Sequence, residues 1–151
     1  MSQERVSDVI DHVRIFYSQL SKYYEGLSAL ADQERVKILL NYLAEFEKRN
    51  ELALAEYEEA APNDVINTWF KYGVDKEPAE SFALATLASD MDVDAVVREA
   101  LRLDQCLSDL YQEVIERAQT DRIQELFTNL LEANKKNMRD LVRDSEHLQD
   151  W

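Results

Sequence analysis

Glycine and proline are nearly missing from this chain, with two of each in 151 residues. Sandwiches and barrels turn often and use both residues freely. An all-β architecture is therefore excluded, and long helices with few connections are indicated. The one cysteine, Cys106, cannot close an internal disulfide, which fits a reducing cytoplasm. The opening MSQER is not followed by a continuous apolar stretch, so no secretory leader is expected. No apolar run approaches the roughly 20 residues of a membrane span. Basic charge is scarce too: 17 Lys and Arg stand against 31 Asp and Glu, a formal net charge of −14. Such a surface repels phosphate, so neither nucleic acid nor an anionic membrane is an expected partner. The charges are mixed along the chain, as on solvated helix faces.

Four long helical patterns are present, in a length suited to one domain with a sizeable core. The first runs from about Val6 to Leu30, with Val6, Ile10, Val13, Tyr17, Leu20, Tyr24 and Leu27 in alternating steps of four and three. The second spans about Gln33 to Ala60, with Asp32 as a candidate N-cap and Pro62 just past its end. The third spans about Asp94 to Gln119, behind the acidic SDMDVD. Thr120 then caps a fourth, to about Ser145. Short linkers make helices one and two an antiparallel hairpin (6–60) and helices three and four another (94–145). Residues 61–93 contain both prolines and the aromatic WFKY, and form a connection long enough to cross a bundle. Short helices are expected there at 64–72 and 80–89. The predicted architecture is an all-α four-helix bundle of two hairpins joined by one long crossover.

The apolar stripes are interrupted at matching places. In helix two, Val36, Leu39, Leu40 and Leu43 lead to Leu54 and Tyr57, but Glu47 and Asn50 occupy the positions between. Sliding the chain by 121 − 34 = 87 residues places ERVKILLNYLAEFEKRN (34–50) on DRIQELFTNLLEANKKN (121–137) without a gap. The same shift puts Ile10 on Val97, Leu20 on Leu107, Tyr24 on Tyr111 and Leu27 on Val114. A duplicated hairpin accounts for this. Glu47 then falls on Asn134 and Asn50 on Asn137, both inside the helix-four stripe of Ile123, Phe127, Leu130 and Leu141. Asp104 interrupts the helix-three stripe of Val97, Ala100, Leu101, Leu107, Tyr111 and Val114, and falls on Tyr17. Six polar side chains thus converge by symmetry: Tyr17, Glu47, Asn50, Asp104, Asn134 and Asn137.

One inward residue on helices one and three, with an i, i+3 pair on helices two and four, resembles the ferritin-like superfamily, and most of all its rubrerythrin-type members. In that family two glutamates and two Glu-x-x-His pairs hold two iron or manganese ions. Here AEFEKRN resembles the helix-two motif, with Glu47 at the glutamate and Asn50 in place of histidine. LLEANKKN resembles the helix-four motif, with Asn134 for glutamate and Asn137 for histidine. LRLDQCLSDLY resembles the helix-three motif, with Asp104 for glutamate and Tyr111 at the usual tyrosine; Tyr17 stands at the remaining ligand position. The resemblance implies the fold and, by its departures, the loss of the metal site. A di-iron centre needs several carboxylates and imidazoles, and the two histidines, His12 and His147, fall off these positions.

These readings lead to a non-catalytic bundle with no cofactor, acting as a binding, scaffold or regulatory protein toward a protein partner the sequence does not name. The vestigial positions are expected to persist as a buried hydrogen-bond network in which amides and a hydroxyl satisfy the carboxylates. The alternative is a rebuilt oxygen-only site for Mg, Ca, Mn or Fe. Glu47 and Asp104 alone, without a nucleophile or phosphate loop, make a weak acid–base pair. Cys106, about 200° around the helix from Asp104, is expected to be inert, and His12 to be a surface residue. Trp69, Phe70 and Tyr72 are expected to pack the crossover. Trp69, Phe70 and Phe82 also suggest a homodimer surface.

Overall fold

A computed structural model describes residues 2–67, 69–72 and 87–149. The side chains of residues 2, 3, 69–72 and 149 fall outside that description. In chain order the elements are β1 (Ser2–Arg5), α1 (Val6–Leu30), α2 (Glu34–Ala60), α3 (Asn63–Ile66), β2 (Trp69–Tyr72), α4 (Val93–Arg117) and α5 (Asp121–Gln149). The four long helices lie where the apolar periodicity places them. Helix α1 packs along α2 and α4 along α5, and the two hairpins meet through α2 against α4 and α5. The architecture is all-α apart from one small strand pair. Among the described residues, no helix is long and apolar enough to cross a membrane.

The core is the shared interior of the four helices. Val13, Leu20, Leu40, Leu103, Leu107, Val114 and Phe127 are at most 1% exposed. Burying each such side chain stabilises the fold by about 1.5–3 kcal/mol before chain entropy is counted. Leucine and alanine suit the helical backbone, and the β-branched residues sit on the inner stripes where packing outweighs their lower propensity.

The helix ends differ from expectation in several places. Asp32 is not the cap of α2: Gln33 occupies that position without a side-chain cap. The Asp32 backbone N–H instead donates to the Ser89 carbonyl at 3.1 Å, tying the first hairpin turn to the approach to α4. Asp92 caps α4 by accepting from the Ala95 N–H at 2.8 Å. Thr120 caps α5 as expected, through the Ile123 N–H at 3.3 Å. Helix α5 continues one turn past Ser145, through EHLQ, whose residues all tolerate a helix. Tyr57 is 37% exposed instead of buried. It lines an open groove with Val65 and Leu126.

The crossover also departs from expectation. In place of a helix over 64–72 there is the single turn α3, then β2, which pairs antiparallel with β1 (Ser2 opposite Tyr72, Arg5 opposite Trp69). An aromatic run such as WFKY favours extended backbone, and the chain start supplies a partner strand. Of the helix expected at 80–89, residues 80–86 lie outside the described residues, and Ser89 and Asp90 form a turn. Phe82 and the side chains of Trp69, Phe70 and Tyr72 likewise lie outside them.

One ionic clamp joins the first hairpin. Arg14 on α1 donates to Glu51 at 3.1 Å and to Glu58 at 3.0 Å, both on α2. All three side chains are largely shielded from solvent, with 32%, 22% and 19% of their surface exposed. Truncating Arg14 would leave two neighbouring carboxylates without a shared cation. We expect Arg14→Ala to cost about 1–2 kcal/mol, read as a lower urea midpoint with an unchanged slope. An unchanged midpoint would show that the clamp contributes nothing.

Candidate functional site

The polar interruptions meet at mid-bundle. Glu47 from α2 is 3% exposed, Asp104 from α4 is 8% and Asn134 from α5 is 4%. Tyr17 from α1 is buried as well, while Asn50 and Asn137 are half-buried. Both carboxylates are inside because each occupies a stripe position that its neighbours, Leu43 and Leu54 or Leu103 and Leu107, turn inward.

Their hydrogen bonds are not the network the sequence suggests. The Asn50 amide donates to Glu47 Oε2 at 3.4 Å, a long bond. Asn134 turns away from the carboxylates, its amide donating to the Asp104 backbone carbonyl and to Ser108 Oγ, each at 2.9 Å. The Tyr17 hydroxyl meets the Tyr111 hydroxyl at 3.3 Å instead of a carboxylate. Among the described residues the Asp104 carboxylate accepts no hydrogen bond. The reason is reach. Aspartate is one methylene shorter than glutamate, and the Asn134 amide is committed to the Asp104 backbone carbonyl and Ser108.

The duplication carries side chains that the convergence argument missed. Under the 87-residue shift (108 − 21 = 87), Ser21 falls on Ser108, and both are buried. Ser21 donates to the Ala44 carbonyl at 2.8 Å, and Ser108 accepts from Asn134. Their identity at equal offset was the available clue. The shift also maps the Tyr111–Tyr17 contact onto Tyr24 and Asp104. The Tyr24 hydroxyl is wholly buried and, among the described residues, has no hydrogen-bond partner. Burial first, then the charges of Asp104 and Glu47, hold its proton well above the usual phenol range.

A cavity of about 260 Å³ opens beside the carboxylates, lined by Leu43, Glu47, Asp104, Asn137 and Leu141, with Tyr42, Phe46, Asp140, Arg143 and Asp144. Arg143 is already engaged, at 3.4 Å from Asp140 and 3.3 Å from Asp144. Asn50, Asn134 and Tyr17 do not line the cavity. Cys106 is half-buried and its thiol faces the Arg102 carbonyl. His12 is exposed, with Nδ1 at 4.0 Å from Glu4.

No family model and no curated protein matches this chain. Two solved structures do. One is a Thermotoga maritima protein assigned to the ferritin-like diiron-carboxylate proteins, with a TM-score of 0.62 at 17% identity over 97% of each chain. The other is a hypothetical protein from Pyrococcus furiosus, with a TM-score of 0.54 at 18% identity over 97% of this chain and 91% of that one. The chain therefore has the ferritin-like fold.

The residues present do not fit the di-iron centre which that fold commonly carries. Among the described residues, no three His, Cys, Asp or Glu side chains come together in a metal-holding group. Two carboxylates cannot neutralise two divalent cations, and an amide is a poor substitute for imidazole. Burial instead favours the protonated form of both acids. Burial pushes Asp104 up from 3.8 to about 7. Burial, and then the Asp104 charge, push Glu47 well above 4.5, with the Asn50 amide pulling the other way. In the unfolded chain Asp104 titrates near its ordinary value. The fold thus binds more protons than the unfolded chain between those two values, and stability is lost as pH rises through that window. We expect the free energy of unfolding to fall between about pH 4 and pH 7, and Asp104→Asn to remove much of that slope. Urea titrations across the range measure it; an equal slope in the variant would refute the assignment.

Proposed function

We propose that this protein is a ferritin-like bundle that works without a di-metal centre. Its role is non-catalytic, as a binding, scaffold or regulatory protein of the cytoplasm acting on a protein partner. The observation that carries this reading is the ligand set at mid-bundle, reduced to Glu47 and Asp104 with no imidazole near them. Tyr17, Asn50, Asn134 and Asn137 are vestigial ligand positions in this reading. The diiron-carboxylate assignment of the Thermotoga protein belongs to that protein. Among the described residues no Ser, Thr, Cys or Lys lines the cavity beside the two carboxylates, which weighs against an enzyme.

Elemental analysis of the purified protein tests this, with about two irons or manganeses per chain overturning it. Glu47→Gln provides a second arm. It keeps the side-chain shape and removes one buried acid, so at pH 7 it should be neutral or stabilising by up to a few kcal/mol. A second reading, a rebuilt oxygen-only site for Mg, Ca, Mn or Fe, draws on the open acceptors of Asp104 beside the cavity. In that case Glu47→Gln lowers stability only in metal-loaded protein.

Self-association is part of the proposal. Ile15, Leu30 and Leu52 are each more than half exposed, leaving apolar surface for a second copy. Light scattering at micromolar concentration should give twice the 17.6 kDa chain mass; a single chain mass excludes the dimer.

A further inference from the structure

We infer that the mid-bundle cavity is a binding site for a small organic ammonium ion, its nitrogen held by Glu47, Asp104 and Asn137. The inference rests on the reading that no di-metal centre occupies this position. The cavity measures about 260 Å³, close to the roughly 300 Å³ at which small-molecule sites begin. Its lining includes the Asp104 carboxylate, more than nine-tenths buried and accepting no hydrogen bond among the described residues. Beside it is Glu47, met only by the long Asn50 contact. Two buried acids with open lone pairs exclude an anion and favour a cation.

The kind of cation follows from the rest of the lining. An ammonium group carries three donors and no acceptor; its charge supplies the counter-ion that draws both buried acids into the carboxylate form, and two carboxylates and the Asn137 amide oxygen then match its three donors. Calcium wants six to eight oxygens and magnesium a near-octahedral cage; Asp140 and Asp144, which also line the cavity, are engaged by Arg143, and Glu47, Asp104 and Asn137 alone supply neither. The cavity also has a carbon-lined part, Leu43, Leu141, Tyr42 and Phe46. The Tyr42 and Phe46 rings stack with centroids 6.1 Å apart at 17°. Apolar and aromatic surface of this kind suits the carbon body of an organic cation. Arg143 does not cancel the inner charge, because Asp140 and Asp144 already engage its guanidinium.

Phenethylamine is the probe, with 2-phenylethanol as its uncharged counterpart. Calorimetric titration of the full chain should give saturable binding of one phenethylammonium per chain, and none of the alcohol. Glu47→Gln and Asp104→Asn should each weaken binding by about tenfold or more. Circular dichroism shows that each variant is folded, and Asn137→Leu, at a half-buried position, provides a third reading of the same loss. Equal affinity for the alcohol, undiminished binding in the folded variants, or no saturable heat overturns the inference. If iron-free protein fails to bind the amine, only the ligand assignment falls. If the protein as purified holds two irons per chain, the reading beneath it falls as well. Competition by Mg²⁺ or Mn²⁺ that binds tightly while the amine does not would assign the cavity to a metal.

Discussion

A carboxylate buried among apolar side chains ionises only if a counter-charge or a donor meets it. This bundle holds two, Glu47 on one hairpin and Asp104 on the other, and no basic side chain pulls either toward its charged form. The surroundings follow from that constraint. The other inward positions carry neutral groups, Tyr17, Asn50, Asn134 and Asn137, so the acid load stays at two. The apolar layers from Val13 to Phe127 must then stabilise a fold whose centre is costly to ionise. The same arrangement makes the centre responsive to protons, because the pair ionises against its own burial.

The two hairpins, similar under the 87-residue shift, make different bonds where they meet. In burial the copies agree: Leu20 and Leu107 are both fully buried and Ser21 and Ser108 are both buried, although Ser21 donates to the Ala44 carbonyl and Ser108 accepts from Asn134. At the centre the pseudo-twofold is broken. Tyr17 and Tyr111 close a contact between hydroxyls, whereas the Tyr24 hydroxyl finds no hydrogen-bond partner among the described residues. A long side chain opposite a long one fills the space, and a long one opposite a short one leaves a gap. The open acceptors of Asp104 belong to the second hairpin, whereas the adjoining cavity is lined from both, by Leu43 and Glu47 as well as Asp104 and Leu141.

The likeness to the two solved structures covers nearly the whole chain at under a fifth identity. Such a likeness is carried by the packing of long helices, which tolerates wide exchange of apolar residues if volume and pattern are kept. It says nothing of the chemistry at the centre, where single atoms decide. A fold can persist after its site has changed, since the apolar layers and not the ligands hold the helices together.

Helix number, extent and pairing were legible in the sequence because they depend on local periodicity and on linker length. The start of α1 at Val6 and the cap at Thr120 could be read directly, and so could the inward register of Glu47 and Asp104, which the flanking leucines fix. The strand pair between the chain start and WFKY was not legible, because two short segments far apart in sequence pair by backbone bonds that leave no periodic mark. Nor was the Asp32 link to Ser89, which again joins distant backbone. Within the centre, sequence gave the membership of the polar set but not its bonds. Whether an amide meets a carboxylate or a backbone carbonyl is decided by differences of about an ångström in side-chain reach, and those exist only once four helices have taken their final separation.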